Sequence, residues 1–222
     1  LQQKRKKICI NFYVSKLRLF IPIKLLLYIM KTLIVFFFIT KIIFPQNFTI
    51  ARINYGGGGD WYSDPSSIPN LLEYLSNNTP MSLVAKEERI KITDANATHF
   101  PYLYLTGHGN IKFSDEEIIA LRSLLNKGAF LHADDNYGMN QSFRREMKRV
   151  YPNKDFIELP YDHKLFKSYY VFKNGLPKIH EHDNKPPQAL GLFEKERLIV
   201  LYTYESDLGD GWEDPSIHDN PW

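Results

Sequence analysis

The chain has 222 residues and a formal net charge of +3 at pH 7, but this charge is unevenly distributed. The first 46 residues contain nine Lys or Arg and no acid, so residues 47–222 keep 19 basic against 25 acidic residues, a net charge of about −6. A body with a net negative charge lacks the electrostatic basis for binding nucleic acid, so we predict no nucleic-acid partner. The only cysteine is Cys9, which excludes disulfides and thiol chemistry from the body.

The amino-terminal segment has the layout of a secretory signal. Met30-Lys31 is followed by an apolar core and a polar exit at Gln46, so we predict a signal peptide over 30–46, with cleavage near Asn47. Residues 1–29 are interpreted as upstream sequence outside the working protein. The alternative is an uncleaved membrane anchor over about 21–44, although each lysine near its centre costs about 2.5–3.5 kcal/mol. Both interpretations predict a periplasmic or secreted body that meets the membrane only through this segment.

Strand and helix patterns alternate along residues 47–222, which indicates a single α/β domain. We predict strands over 48–54, 89–93, 101–106 and 129–133, and helices from Pro65 to Thr79, from the capping box at Ser114 and Glu117 to Gly128, and over 141–150. Beyond residue 155 we predict strand-like pieces at 156–159 and 169–172, and a hairpin of 189–193 with 197–203. Short strand-helix-strand links favour a three-layer fold with a mostly parallel sheet and an irregular, β-rich carboxyl-terminal part.

Polar residues follow two of the predicted strands directly. Asp134, Asp135 and Asn136 follow the strand over 129–133, whereas His108 and Asn110 lie in a glycine-flanked turn after the strand over 101–106. Because ligands bind at the carboxyl ends of parallel strands, we expect these side chains to share one crevice. Three of them, Asp134, Asp135 and His108, are candidate catalytic residues.

Two further segments supply candidate ligand contacts. Glycines at 57 and 58 can bring backbone amides close to a ligand, although this loop lacks the residues of a P-loop, and the alternative is a tight structural loop. Aromatic residues in both segments offer walls on which a sugar ring can stack. The candidates in these segments are Gly57, Gly58, Asp60, Trp61, Glu205, Asp207 and Trp212.

His180, His182 and Asp183 are candidate metal ligands. In an extended chain the two histidines point to the same side, which is chelating geometry for zinc or another divalent ion. Either Asp134 with Asp135 or Glu205 with Asp207 would complete the site. The alternative is a polar loop in which histidines and acids bond to one another. We predict no cofactor, with a divalent metal as the alternative.

Six segments together resemble the bacterial family called domain of unknown function 4159. They are YGGGGDWY (55–62), LTGHGN (105–110), LHADDNYG (131–138), SFRREMK (142–148), KIHEHD (178–183) and YESDLGDGWED (204–214). The resemblance covers essentially all of 48–220, and it implies a flavodoxin-like fold similar to class I glutamine amidotransferases. In those enzymes the turn after the central strand carries a nucleophilic cysteine. Here the turn is 133–136 and has none, so thioester chemistry is not available.

The resemblance also implies a closing helix beyond the end of this chain, so we expect the domain over 47–222 either to be truncated at its carboxyl terminus or to leave that edge uncovered. For function, we predict a non-catalytic domain that binds a polar small molecule, a carbohydrate or a cell-envelope protein. One alternative is a hydrolase in which Asp134 or Asp135 is a general base partnered by His108 or His182, with or without a metal. A third is a purely structural subunit, which predicts that the crevice is filled.

Overall fold

The computed structural model describes residues 48–180 and 182–217, together with Lys24, Met30 and Lys31. The chain divides into two compact units, Leu1–Pro45 and Gln46–Trp222. In the first unit the three described residues are helical and exposed. The rest of the predicted extension and signal peptide lies outside the described residues. Among the helices that are described, none combines the length and the apolar character needed to cross a membrane.

The second unit is built on one seven-stranded sheet. Its strands are β1 (Ala51–Ile53), β2 (Glu88–Ile90), β3 (Tyr102–Leu105), β4 (Phe130–Asp134), β5 (Ile157–Glu158), β6 (Gln188–Glu194) and β7 (Arg197–Tyr204). Their order across the sheet is β2-β1-β3-β4-β7-β6-β5. The first five in this order are parallel, and β6 and β5 extend the sheet in antiparallel pairing. The prediction of an α/β domain with a mostly parallel sheet is confirmed.

Four α-helices accompany the sheet in the described part of the chain. They are α1 (Ser67–Asn78), α2 (Asp115–Asn126), α3 (Asn140–Val150) and the short α4 (Leu208–Trp212), with 3-10 turns at Ala97–His99 and Lys164–Lys167. The predicted capping box at the start of α2 is confirmed. Ser114 Oγ accepts from the Glu117 amide at 3.2 Å, and Glu117 Oε2 accepts from the Ser114 amide at 2.8 Å.

Helices pack on both faces of the sheet because side chains alternate along the strands. In β3, Leu103 and Leu105 belong to an apolar cluster that includes residues of α2 and α3. Tyr104, between them, belongs to a second cluster with Ile68 and Leu72 of α1. This alternation gives the three layers that the sequence predicts.

The carboxyl-terminal part differs from the prediction in one respect. Residues 189–193 and 197–203 do form a hairpin, as β6 and β7, but residues 169–172 form no strand. Their side chains are exposed, and the Phe172 amide bonds back to the Phe166 carbonyl at 2.8 Å. The apolar content of this segment was therefore misleading, because strand formation depends on tertiary pairing as well as on local composition.

Candidate functional site

The site lies at the carboxyl edge of the parallel strands, where β4 and β7 end side by side. Asp134 is in register with Thr203, so the residues after each strand emerge next to one another. Asp135 and Asn136 follow β4, and the turn 205–207 follows β7. Two regions far apart in sequence are thus brought to one edge of the sheet, as expected for open α/β folds.

The carboxylate of Asp134 links β3, β7 and α4 at this edge. Its side chain is fully buried, and both carboxylate oxygens accept hydrogen bonds. Oδ1 accepts from the Thr203 hydroxyl and from the Leu208 amide at 3.2 Å, and Oδ2 accepts from the Tyr104 hydroxyl at 3.1 Å and the Gly209 amide at 2.6 Å. The carboxylate therefore caps the free amides at the start of α4 and joins that helix to the sheet.

Asp135 points into a different environment. Its Oδ1 accepts from the Tyr202 hydroxyl at 2.7 Å, and its Oδ2 accepts from the Glu205 amide at 2.9 Å. The side chain is almost completely buried, and burial raises the pKa of this carboxyl to about 6, although its two hydrogen bonds oppose the shift. Asp135 can therefore exchange a proton near neutral pH.

A pocket of about 290 Å³ opens beside Asp135. Tyr137 is 55 % exposed on its rim, with its ring centre 5.3 Å from that of His182. Glu205 lies in the wall and is paired with the Lys178 ammonium at 2.9 Å. The pocket is lined by Asp135, Tyr137, Gly138, Asn140, Gln141, His182, Asp183, Lys185, Tyr204 and Glu205.

Asp207 lies next to this pocket and is fully buried. Its Oδ2 is 3.0 Å from Nε2 of His182, whereas its Oδ1 has no hydrogen-bond partner among the described residues. Burial, together with the negative charges of Asp134 and Asp210, raises the pKa of Asp207 to about 9, and the nearby backbone amide of Asp210 opposes this only in part.

Asp64 approaches Asp207 from the loop that precedes α1. The fully buried Arg52 of β1 fixes this loop by donating to the carbonyls of Ser63 at 2.6 Å and Asp64 at 3.0 Å. Burial and the charges of Asp207 and Asp210 raise the pKa of Asp64 to about 8. The Asp64 carboxylate also accepts from Asn136 Nδ2 at 3.1 Å, which places the predicted candidate Asn136 in this cluster.

The backbone is strained where these acids lie. Asp64, Glu205 and Asp207 have positive φ angles of 52°, 58° and 53°. Non-glycine residues rarely adopt this conformation, and such strain is concentrated at functional sites. Here it turns the acidic side chains inward.

The predicted histidines meet this acidic cluster. Nδ1 of His180 lies 3.0 Å from Oδ2 of Asp210 and 3.8 Å from Oδ2 of Asp207. One ligand atom each from His180, His182 and Asp207 can be chosen so that all lie within 4.8 Å of one another, and the same holds for Asp64, Asp207 and Asp210. Asp183, also a candidate ligand, is in neither group and instead pairs with Lys185 at 3.4 Å.

Sequence reasoning missed two members of the cluster, Asp64 and Asp210. Asp64 directly precedes the predicted helix start at Pro65 and carried no motif of its own. Asp210 was one of several acids in the segment 204–214. The positive φ of Asp64 has no sequence signal of its own. The only available indication was the unusual density of acids in 204–214.

The predicted residues of the two glycine-containing loops form a separate cluster. Nδ1 of His108 lies 3.0 Å from Oδ2 of Asp60, and the His108 amide donates to the same carboxylate. Asn110 Nδ2 donates to the Gly57 carbonyl at 2.9 Å, and Gly57 has a φ of 109° and no room for a Cβ. Gly58 is exposed and makes no close approach. These contacts join the loops after β1 and β3, and His108 does not line the pocket beside Asp135.

Neither predicted tryptophan wall lines that pocket. Trp212 packs with its ring centre 6.2 Å from those of Tyr104 and His132, and Trp61 packs against the apolar core. His132 is buried and bonded to the hydroxyls of Tyr102 and Thr203. Burial lowers the pKa of His132 and keeps the ring neutral.

A larger cavity of about 710 Å³ lies at the opposite edge of the sheet, near the beginning of β7. The guanidinium groups of its two arginines already donate to backbone carbonyls. Arg122 donates to the carbonyls of Arg149 and Val150, and Arg197 donates to those of Leu125 and Ala129. We therefore place the candidate site at the carboxyl edge.

The fold and this edge define an α/β domain with a mostly parallel sheet and a polar site beyond β4 and β7. The chain matches the family described as "Domain of unknown function (DUF4159)" over residues 49–221 and belongs to that family. The match confirms the resemblance recognised from the six sequence segments. No curated protein matches the chain.

Proposed function

We propose that this domain binds a small polyhydroxylated ligand, of monosaccharide size, in the pocket beside Asp135. The observation that carries the proposal is the composition of the pocket wall, which combines carboxylates, amides, an ammonium group and tyrosines in about 290 Å³. This volume is at the lower end for ligand pockets, which favours a ligand of one ring.

The wall offers hydrogen-bond donors and acceptors together. Asp135 and Glu205 supply acceptors, Lys185 supplies donors, and the amides of Asn140 and Gln141 supply both. A sugar hydroxyl also donates and accepts, so it matches such a wall better than a simple cation or anion does. The exposed ring of Tyr137 provides an aromatic face against which a sugar ring packs.

Two further elements of the proposal rest on sequence. The amidotransferase-like fold is supported by the resemblance and by the parallel sheet, whose turn after β4 holds acids in place of a cysteine. The extracytoplasmic location is supported by the signal-like layout of residues 30–46.

The test uses free glucose, galactose, N-acetylglucosamine and glucuronate as probes, with binding followed by ligand-observed NMR and calorimetry. We expect at least one sugar to bind, and we expect Tyr137→Ala and Gln141→Ala each to weaken that binding at least fivefold. Both residues are exposed, so neither substitution should disturb folding.

Tyr161→Ala is the matched control, because Tyr161 is 62 % exposed and lies outside the pocket. It should leave sugar affinity within twofold of the starting protein. Absence of binding for all four sugars, or equal binding by the Tyr137 and Tyr161 variants, would contradict the proposal.

A hydrolase is the second candidate, favoured by the pKa of about 6 for Asp135 at the pocket wall. A carboxyl with this pKa suits general acid-base catalysis near neutral pH. The test is a panel of chromogenic glycosides and phosphate esters. Any turnover should depend on pH near 6 and be lost in Asp135→Asn, and turnover retained by that variant would exclude this role.

A further inference from the structure

Beside the polar pocket, the imidazole nitrogens of two histidines and the oxygens of several carboxylates lie close to the carboxylate of Asp207. Asp207 is fully buried, with His182 at 3.0 Å and His180 at 3.8 Å from its Oδ2. The two imidazole rings have centres 4.8 Å apart. Three chain segments thus meet at Asp207, namely the turn after β7, the loop containing the histidines and the loop before α1.

Several carboxylates crowd together around Asp207. One carboxylate oxygen each from Asp64, Asp207 and Asp210 can be chosen so that all three lie within 4.8 Å of one another. The buried Arg52 donates to backbone carbonyls, Ser67 and Glu87, and not to these carboxylates. Carboxylates held this close repel one another, and a bound cation offsets that repulsion.

An independent observation also points to a ligand. Oδ1 of Asp207 is buried and is the one such side-chain atom in the described residues without a hydrogen-bond partner. Buried polar atoms are almost always paired, so an unpartnered Oδ1 on a carboxylate whose Oδ2 contacts two histidines indicates an ion that completes its coordination.

We propose that His180, His182 and Asp207 bind one divalent transition-metal ion, with the carboxylates of Asp64 and Asp210 beside Asp207. This site is distinct from the proposed sugar contacts, although His182 adjoins both. The histidine nitrogens lie 3.0 and 3.8 Å from Oδ2 of Asp207, and both separations are shorter than two metal–ligand bonds of about 2.1 Å placed end to end.

The ligand types select the metal. Imidazole nitrogens with carboxylates suit Zn²⁺, Mn²⁺, Fe²⁺, Co²⁺ or Ni²⁺, whereas Ca²⁺ and Mg²⁺ prefer sites built entirely from oxygen. We therefore expect Zn²⁺ and Co²⁺ to bind tightly and Mg²⁺ to bind weakly.

The experiment begins with the full chain stripped by a chelator and then titrated with Zn²⁺, with bound metal measured by mass spectrometry. We expect one equivalent of Zn²⁺ and a rise in melting temperature on loading. The double variant His180→Ala/His182→Ala should lose at least 100-fold in affinity and show no rise. Co²⁺ should give visible absorption bands in the unsubstituted chain that are absent in this variant.

Two further variants separate loss of metal binding from loss of folding. His99→Ala removes an exposed histidine far in sequence from the cluster and should bind Zn²⁺ like the starting chain. His180→Ala alone removes a side chain that is 58 % exposed and outside the pocket, so it should fold normally, retain sugar binding and bind Zn²⁺ at least tenfold more weakly. Equal Zn²⁺ binding by His99→Ala and the double variant, or no stoichiometric binding at all, would overturn the proposal.

Discussion

At the scale of single residues, the two adjacent acids after β4 have different roles. Asp134 is enclosed by four donors from β3, β7 and α4, whereas Asp135 has two partners and faces the pocket. Neighbouring side chains in an extended strand point to opposite sides, which explains the division. The structure therefore separates a residue that supports the fold from one that is available to a ligand.

Replacing Asp134 should lower stability. Asp134→Asn replaces one acceptor oxygen with an NH₂ group that faces donors, so at least one buried hydrogen bond is lost. We expect a loss of about 2–3 kcal/mol, or roughly 5–10 °C in melting temperature. Thermal and urea unfolding measure it. Asp155→Asn is the control, since that side chain is 82 % exposed, and an equally small effect for both variants would refute the role of Asp134.

Asp135 should make stability depend on pH. Because burial raises its folded-state pKa to about 6 from 3.8, the folded protein holds this proton where the unfolded chain has released it. The stabilisation is complete below about pH 4 and disappears as pH rises through 6, a difference of up to about 3 kcal/mol. Urea unfolding measures the free energy of unfolding at pH 4 and at pH 7. Between these two pH values that free energy should decrease less for Asp135→Asn than for the starting chain. Identical decreases would show that Asp135 does not titrate in this range.

At the scale of elements, β1 positions the loop that carries Asp64. Arg52 projects from β1, is fully buried, pairs with Glu87 at 2.8 Å and donates to two loop carbonyls. A planar guanidinium can satisfy all these acceptors at once, whereas an ammonium group cannot reach them in the same geometry. The orientation of Asp64 therefore depends on a strand and not on the loop alone.

Arg52→Lys should consequently destabilise the fold by about 2–4 kcal/mol, because charge is kept while several buried bonds are lost. Urea unfolding measures this. Arg89→Lys is the matched control, since Arg89 pairs with the other oxygen of Glu87 but is 46 % exposed, and it should cost no more than about 1 kcal/mol. Similar losses for both variants would show that the loop contacts of Arg52 contribute little.

At the scale of the whole molecule, sequence patterns predicted the layers and the edge of the sheet that carries the site. The run of buried residues ending at Asp134 and the capping box at Ser114 are local signals, and both were confirmed in the structure. The convergence of Asp64 with Asp210 was not predictable, because these residues lie far apart in the chain and meet only through the path of two loops. The strand predicted at 169–172 was wrong for a similar reason. A strand forms only where another strand can pair with it, and no local sequence pattern shows whether such a partner exists.

The absence of cysteine from residues 10–222 predicts that the chain has no thiol-dependent glutaminase activity. Alkylation with iodoacetamide should leave sugar and metal binding unchanged, because it can modify only Cys9. Ammonia release from glutamine by the purified chain would contradict this prediction and would require a different nucleophile.

The layout of residues 30–46 predicts export with cleavage near Asn47. Amino-terminal sequencing of protein recovered from outside the cytoplasm should read from that region. Recovery of an intact Met30 in the membrane fraction would instead support the anchor.

The place of β7 in the chain also bears on how the protein is made. It follows the six other strands of the described sheet in the chain, yet it pairs with β4 in the interior of that sheet, and Asp207 lies three residues beyond its end. Until β7 emerges, β4 forms an unpaired apolar edge, and such edges are prone to aggregation during synthesis. Proteins released early, for example through a premature stop before residue 197, should therefore lack the site and also become substrates for chaperones and proteases.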